Sequence, residues 1–221
     1  TEEYSIKDAM HLLDEIQDIL EVHSGDKAPR IADRAQRVRY YKARARVCYA
    51  RGEHEESMAA IDCGFELLEL PGNREAERET ELEGFAAELH QVRGDVYKTR
   101  GSPEQAVVAY REAFSRFSDA GSPPWRRIDI QASIAWGLWT SGDEDEAIRI
   151  SQGIISQYED LDIHGSTMAH ALARHYDTLA TISLERKGID KAEQMYQKAK
   201  ELRQSEARVD LLAHSDGNLA C

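Results

Sequence analysis

The sequence has few residues that interrupt helices and no long apolar run. Only 5 prolines occur among its 221 residues. Val, Ile and Thr are scattered along the chain and do not form the alternating runs that strands need. No apolar segment approaches the ~18 residues that indicate a membrane span, and no signal-peptide pattern opens the chain. These absences predict an all-α, cytoplasmic protein that does not act at a membrane.

Cysteine is also scarce, and the 28 Lys and Arg residues are outnumbered by 41 Asp and Glu. The chain has three cysteines, Cys48, Cys63 and Cys221. Because their number is odd and their spacing does not match a metal site, we expect reduced thiols. The formal net charge is −13. Binding to nucleic acid or to an anionic membrane requires Lys and Arg to match the phosphate charge. We therefore expect neither as a partner.

No motif for catalysis or metal binding occurs. The chain has no phosphate-binding glycine loop, no Gly-x-Ser-x-Gly and no His-Glu-x-x-His. His170 and His175 are spaced so that a helix would rotate them about 140° apart. The alternate glutamates between Glu75 and Glu83 would point around a helix and not towards one cation. We predict a protein that is not an enzyme and that holds neither metal nor cofactor.

A pattern of small residues recurs along the chain and is clearest in residues 89–114. Small side chains there would let two antiparallel helices approach closely, tyrosines would fill the adjacent space, and a glycine would end the first helix. The residues of this pattern are Gly94, Tyr97, Gly101, Ala106, Tyr110 and Ala113. The small residue that opens the second helix recurs at Ser57, Ala147 and Ala192. The pattern predicts four helix pairs.

This pattern resembles the tetratricopeptide repeat over most of residues 5–206. The resemblance implies a right-handed α-solenoid of antiparallel helix pairs, with about nine or ten helices. Subtracting the positions of the small residues gives spacings of 49, 41 and 45 residues, longer than the ~34 of the common repeat. The excess lies in long first helices, over 31–51 and 73–100. Long units of this type are found in kinesin light chains and in the sensor regions of bacterial ATPase-type transcription regulators.

We expect a single repeat domain over residues 1–221, cut from a longer protein. It begins with a partial unit at 5–22, resembling the second half of a helix pair. Four complete units are expected at about 27–70, 73–119, 122–158 and 163–206. A tail is expected at 207–221. An open apolar face at either cut end would favour self-association.

Two local patterns predict details of the turns. The turn glycine precedes the small residue by five positions in three units, but Gly188 precedes Ala192 by four, so the last turn is expected to be tighter. Ser122 is followed by Pro123 and Pro124, which predicts a serine-capped helix start.

The family resemblance also implies a concave groove lined by the first helix of each unit. Carried over position by position, the groove residues are Arg39, Lys42, Arg46 and Tyr49, then Gln91, Asp95 and Lys98, then Trp136 and Trp139, and finally Arg174 and Asp177. Such a groove implies a protein or peptide partner.

Two parts of this groove have alternative interpretations. Arg39, Lys42 and Arg46 lie within one helical stripe and would meet an acidic partner or a terminal carboxylate. Alternatively, they pair with the acidic helix that follows Pro71. The tryptophan pair is either an interaction surface or a wedge between neighbouring units.

The main functional hypothesis is a non-enzymatic protein–protein interaction module, a scaffold that holds an extended peptide or a partner helix. The alternative is a regulatory domain of a larger signalling ATPase or transcription regulator that senses a ligand or a partner. A peptide groove predicts an open surface with cations at its rim. A ligand sensor predicts a closed apolar pocket around Trp136 and Trp139.

Overall fold

The computed structural model describes residues 31–70, 76–158 and 167–218. Within these ranges all regular structure is helical, with eight helices and no strand, which confirms the all-α prediction. The partial unit expected at 5–22 lies outside the described residues. None of the described helices is both long and apolar enough to cross a membrane. The chain divides into two compact units, Thr1–Gly121 and Ser122–Cys221.

The first compact unit contains two helix pairs. Helices α1 (Ile31–Ala50) and α2 (His54–Glu69) form one pair, and α3 (Ala76–Thr99) and α4 (Pro103–Asp119) form the other. Helix α3 also packs against α1 and α2, so the two pairs share one core. The predicted long first helices are confirmed, because α1 has 20 residues and α3 has 24.

The second compact unit also contains two helix pairs. Helices α5 (Pro124–Thr140) and α6 (Glu144–Tyr158) form one pair, and α7 (Thr167–Glu185) and α8 (Ile189–Asn218) form the other. Helix α7 packs against all three of the others and is the centre of the unit.

Helix α8 continues through most of the segment that the sequence predicted as a tail. Its backbone is helical as far as Asn218. The apolar pattern fades after Gln204, but residues 204–216 contain no glycine or proline to end a helix. The end of the apolar pattern therefore does not mark the end of the helix.

The four turns within helix pairs have the same backbone hydrogen bonds. After α3, the Gly101 N–H donates to the Lys98 carbonyl at 3.2 Å, and the Ser102 N–H donates to the Tyr97 carbonyl at 2.9 Å. These are the two bonds of the Schellman motif, and the same two occur after α1, α5 and α7. The glycines in the left-handed position are Gly52, Gly101 and Gly142, with φ of 77°, 72° and 93°. Glycine adopts this conformation without a steric penalty.

The turn after α7 is not tighter than the others, so that prediction was wrong. Lys187 occupies the left-handed position, with φ of 62°. Its N–H donates to the Leu184 carbonyl at 2.9 Å, and the Gly188 N–H donates to the Ser183 carbonyl at 2.8 Å. Gly188 therefore stands one position later, where the α3–α4 turn has Ser102. A left-handed conformation costs a residue with a Cβ about 1–2 kcal/mol.

The start of α5 also differs from the expected serine cap. Pro123 is the residue before the helix, with ψ of 145°, and Pro124 occupies the first turn. No side chain caps this helix start through a hydrogen bond. At the first position of a helix, a backbone N–H has no partner within the helix. Because proline lacks this N–H, Pro124 costs the helix no hydrogen bond here.

Small residues allow close contact within the pairs, as the sequence pattern predicted. The small residues near the starts of the second helices are buried: Ser57, Ala106, Ala147 and Ala192. The Ser57 hydroxyl donates to the Ala45 carbonyl at 2.8 Å. The ring of Tyr110 lies directly against Gly94, and its hydroxyl donates to Asp95 Oδ1 at 2.8 Å.

Each compact unit has its own apolar core. The first core is formed by Val38, Ala45, Ala60, Ile61, Phe85, Leu89 and Val92. The second is formed by Ile128, Ile154, Ile155, Ala171, Leu172, Ala173, Tyr176, Leu179 and Ala199. Full burial of a large aliphatic side chain contributes about 1.5–3 kcal/mol.

Candidate interaction surfaces

The basic stripe of α1 lies against an acidic stripe of α3. Arg39 forms an ion pair with Glu81. The Lys42 Nζ lies 3.0 Å from Glu88 Oε2, and an Arg46 guanidinium nitrogen lies 3.4 Å from the same oxygen. Of the two interpretations of this stripe, pairing with the acidic helix is therefore the one found in the first compact unit.

An aromatic ring strengthens this contact. The Phe85 ring centroid lies 4.9 Å from Lys42 Nζ and 5.4 Å from Arg39 Cζ, within the range of cation–π attraction. The Glu88 side chain is only 11% exposed and that of Lys42 only 19%. Because both charges are largely removed from water, separating them would leave a poorly solvated charge behind. Arg39 and Arg46 are more exposed and can still reach a partner.

The remaining predicted groove residues of the first unit lie near the ends of α1 and α3. Tyr49 shares a hydrogen bond of 3.2 Å with Thr99, which links the two helices. Asp95 accepts the bond from Tyr110 and so belongs to the contact within its own helix pair. Gln91 and Lys98 are half-buried on α3.

Two half-buried tryptophans lie together on α5 of the second unit. The ring centroids of Trp136 and Trp139 are 6.4 Å apart, and the rings meet edge to face at 79°. The Trp139 indole N–H donates to Glu185 Oε2 at 2.9 Å, which fixes this ring to the end of α7. The pair thus contributes to the α5–α7 contact while part of each side chain stays accessible.

The two predicted groove residues of α7 also form polar links between helices. Arg174 donates to Ser133 Oγ at 2.8 Å and to the Asp129 backbone carbonyl at 3.1 Å, and it forms an ion pair with the Asp129 carboxylate. Asp177 pairs with Arg203 of α8.

These residues lie on one face of α5 and α7. Trp136 and Trp139 are one turn apart on α5, and positions 174, 177, 181 and 185 follow one stripe of α7. The structure thus brings together the four residues that the sequence predicted in this unit and adds Glu185, which the sequence did not single out. We call this set the tryptophan surface: Trp136, Trp139, Arg174, Asp177 and Glu185.

A buried histidine, next to Arg174 on α7, lies beneath this surface. His175 has no exposed area. Its Nε2 lies 3.1 Å from the Ile128 carbonyl, which can only accept, so Nε2 carries the proton. Its Nδ1 accepts from the Ser151 hydroxyl at 3.3 Å. Burial, with a smaller contribution from the Arg174 charge, lowers the pKa of His175 to about 4, although the bond to Ile128 and the Asp129 charge oppose this shift. Neutral His175 therefore joins α5, α6 and α7.

A cavity that the sequence did not predict lies between α6 and α8 and is also lined by α7. Its volume is about 440 Å³. Its apolar lining consists of Ile148, Ile155, Tyr176, Leu179, Ile182 and Met195. Neither tryptophan lines it, so it differs from the pocket that the ligand-sensing alternative predicted around Trp136 and Trp139. Sequence reasoning missed this cavity because its lining residues read as ordinary core positions.

Among the described residues, no three His, Cys, Asp or Glu side chains converge on a point that could hold a metal ion. Cys48 and Cys63 are both free thiols. Burial raises the pKa of the Cys48 thiol, which keeps it protonated and unreactive.

Comparisons with known proteins give little further information. No protein-family model matches the chain, and no curated protein matches it. Among solved structures it is similar to BtubC (BKLC) from P. vanneervenii, at 13% sequence identity and a TM-score of 0.49. The match covers 92% of this chain and 91% of that one. Neither this identity nor this TM-score identifies a function for the chain.

Proposed function

We propose that the chain is a non-enzymatic protein–protein interaction module that binds an extended peptide or a partner helix. In this proposal the helix pairs belong to a right-handed α-solenoid of the tetratricopeptide type with long units. The four turns with the same hydrogen bonds, together with the buried small residue that follows each of them, support this architecture. A cytoplasmic location is part of the same proposal, in keeping with the free thiols Cys48 and Cys63.

The tryptophan surface is the observation that carries the proposal. Tryptophan contributes more contact area than any other side chain and is enriched at the centres of interfaces. Trp136 and Trp139 are held in place by each other and by Glu185, so a partner would meet side chains that are already ordered. Such preorganisation reduces the entropy lost on binding. The flanking side chains of Arg174 and Asp177 already pair with Asp129 and Arg203, so in this proposal the two tryptophan rings make the main contact.

The basic stripe of the first unit is a weaker candidate for the same role. An acidic partner would have to compete with Glu81 and Glu88 for Arg39, Lys42 and Arg46. The Lys42–Glu88 pair is mostly buried and would be costly to separate. We therefore place the main partner contact on the tryptophan surface, with Arg39 and Arg46 as secondary contacts.

Peptide selection followed by a binding measurement tests this function. Peptides would be selected on the 221-residue chain from a random displayed library, and their affinities measured by fluorescence anisotropy. Trp136→Ala and Trp139→Ala should each weaken binding at least about tenfold, as expected for central interface residues. Trp125→Ala is the matched control and should have little effect, since Trp125 lies in the first turn of α5, away from the pair. Selected peptides that bind both variants as tightly as the wild type would exclude this surface.

The second candidate function is a regulatory domain that senses a small ligand. The specific observation in its favour is the apolar cavity between α6 and α8. Its volume lies within the range of about 300–1,000 Å³ that is typical of small-molecule sites. Titration of the chain with a small amphiphilic ligand tests this candidate.

A further inference from the structure

The cavity between α6 and α8 has ends of different chemistry. Tyr176 is the lining residue of α7 farthest from the turn that leads to α8, and Met195 lies one helical turn beyond Lys191 on α8. Arg186 and Gly188, from the turn between α7 and α8, and Lys191, from the first turn of α8, line the end next to that turn. Ten residues of α7 and the following turn separate Tyr176 from Arg186, which is roughly 15 Å along a helix. The cavity is therefore elongated, apolar at one end and cationic at the other.

The charge at the cationic end comes mainly from Lys191. Arg186 already pairs with Glu144 and lies 3.6 Å from Asp145, so its charge is largely offset. Lys191 is an exposed residue in the first turn of α8 and lines the cavity. The nearby acids Asp190 and Glu193 line an adjoining depression on α8 and do not line this cavity.

The volume and the lining favour a small, flexible occupant. The volume of about 440 Å³ lies within the range of ~300–1,000 Å³ that is typical of small-molecule sites. A partner helix has a diameter of ~10–12 Å including its side chains. A single acyl chain is much thinner than a helix and suits the aliphatic lining.

We propose that this cavity binds a small amphiphilic carboxylate. Its acyl chain would lie along Ile148, Leu179 and Ile182, and its carboxylate would accept a charge-assisted hydrogen bond from Lys191. Ser183 and Gln152 also line the cavity and offer further polar contacts. The proposal gives a ligand class to the second candidate function. It does not depend on peptide binding, because none of the lining residues belongs to the tryptophan surface.

Calorimetric titration of the 221-residue chain with decanoate, below its micelle-forming concentration, tests this proposal. We expect one saturable site per chain. Lys191→Gln should weaken decanoate binding by about fivefold or more, as expected for loss of a hydrogen bond between charged groups. Lys200→Gln is the matched control, because Lys200 is exposed on the same helix but does not line the cavity. Decan-1-ol should bind more weakly than decanoate, and acetate should not bind detectably.

A second variant tests the position of the acyl chain. Ser156 is exposed at the rim of the cavity, so Ser156→Trp should leave the fold intact while filling part of the space. It should weaken decanoate binding, whereas peptide binding at the tryptophan surface should be unchanged. The proposal is overturned if decanoate shows no saturable binding, if Lys191→Gln binds as tightly as wild type, or if decan-1-ol binds equally well. Co-sedimentation with phosphatidylglycerol vesicles in place of decanoate binding would also overturn it.

Discussion

Single residues at helix contacts and turns determine how closely the paired helices approach. Gly94 is buried in α3 against the ring of Tyr110, and a Cβ at this position would lie under 3.0 Å from three ring atoms. Gly84, in the same helix, has nothing within 4 Å of such a Cβ. The two glycines therefore separate the effect of helix packing from that of helix propensity.

Gly94→Ala should destabilise the protein by about 2 kcal/mol, because the Tyr110 ring is fully buried and must shift to accommodate a methyl group. Gly84→Ala, the control, should stabilise it by about 0.5–1 kcal/mol, because alanine is the better helix former. Urea unfolding followed by circular dichroism measures both changes. Equal effects of the two substitutions would contradict the proposed contact.

Lys187→Gly should stabilise the protein by about 1 kcal/mol. Lys187 has a positive φ at the position where the other three pairs have glycine, and glycine removes the clash of its Cβ with the backbone. Lys187→Ala keeps the Cβ while removing the rest of the side chain, so it should give no such gain. Thermal and urea unfolding of the two variants check this prediction. If Lys187→Ala stabilised the protein as much as Lys187→Gly, the effect would come from the loss of the lysine charge.

At the scale of helices, polar contacts between neighbouring elements fix which helix packs on which. In the first unit, α1 and α3 are joined by the pairs of Arg39 and Lys42 with Glu81 and Glu88. In the second unit, His175 joins three helices through its two ring nitrogens. The Lys42–Glu88 pair and the contacts of His175 are more buried than the Arg39–Glu81 pair, so their effects on stability can be distinguished.

Glu88→Gln should destabilise the protein by about 2 kcal/mol, since it leaves the mostly buried Lys42 ammonium without its carboxylate. Glu81→Gln removes the more exposed partner of Arg39 and should cost less than about 1 kcal/mol. The free energy of unfolding at low and high salt measures the difference. Salt should reduce the effect of Glu81→Gln more than that of Glu88→Gln; the reverse order would contradict the burial of the Lys42 pair.

Stability should fall as the pH is lowered from 6.5 towards 4. The folded state holds His175 neutral, with a pKa lowered from 6.5 to about 4, whereas the unfolded chain binds a proton at its ordinary pKa. Because the unfolded state binds more protons in this window, acid favours unfolding, by up to about 3 kcal/mol from this residue. His90, with a pKa likewise lowered to about 4 by burial, adds to the trend.

His175→Gln isolates this contribution. The variant removes one titrating group, so its free energy of unfolding should decline less steeply with acid than that of the wild type. Urea unfolding at pH 7, 6, 5 and 4.5 compares the two slopes. Parallel curves would show that His175 is not the buried neutral group described above.

At the scale of the whole molecule, the sequence predicted the helical build and the extents of most helices. This prediction depended on the small residues that begin the second helices, such as Ser57 and Ala192, and on the turn glycines. Close helix contacts and left-handed turns tolerate few other residues. The turn at Lys187 was misread because a lysine fills a position that normally requires glycine. The length of α8 was missed because the apolar pattern stops before the helix does.

The candidate sites were less predictable than the fold. The sequence placed Arg39, Lys42 and Arg46 on one stripe but left their partner open, since the register between α1 and α3 depends on packing across the whole unit. The bond between Trp139 and Glu185 joins residues 46 positions apart, and no local pattern signals it. The cavity between α6 and α8 depends on how three helices diverge, which residue types alone do not encode.

The most direct test of the interaction surface uses the three tryptophan indole N–H signals of the protein in a ¹⁵N-correlated NMR spectrum. The signals of Trp136 and Trp139 should shift in proportion to the bound fraction when a selected peptide is added. That of Trp125, which lies at the start of α5, should remain in place. Peptide binding that shifts neither the Trp136 nor the Trp139 signal would contradict the proposal that this surface holds the partner.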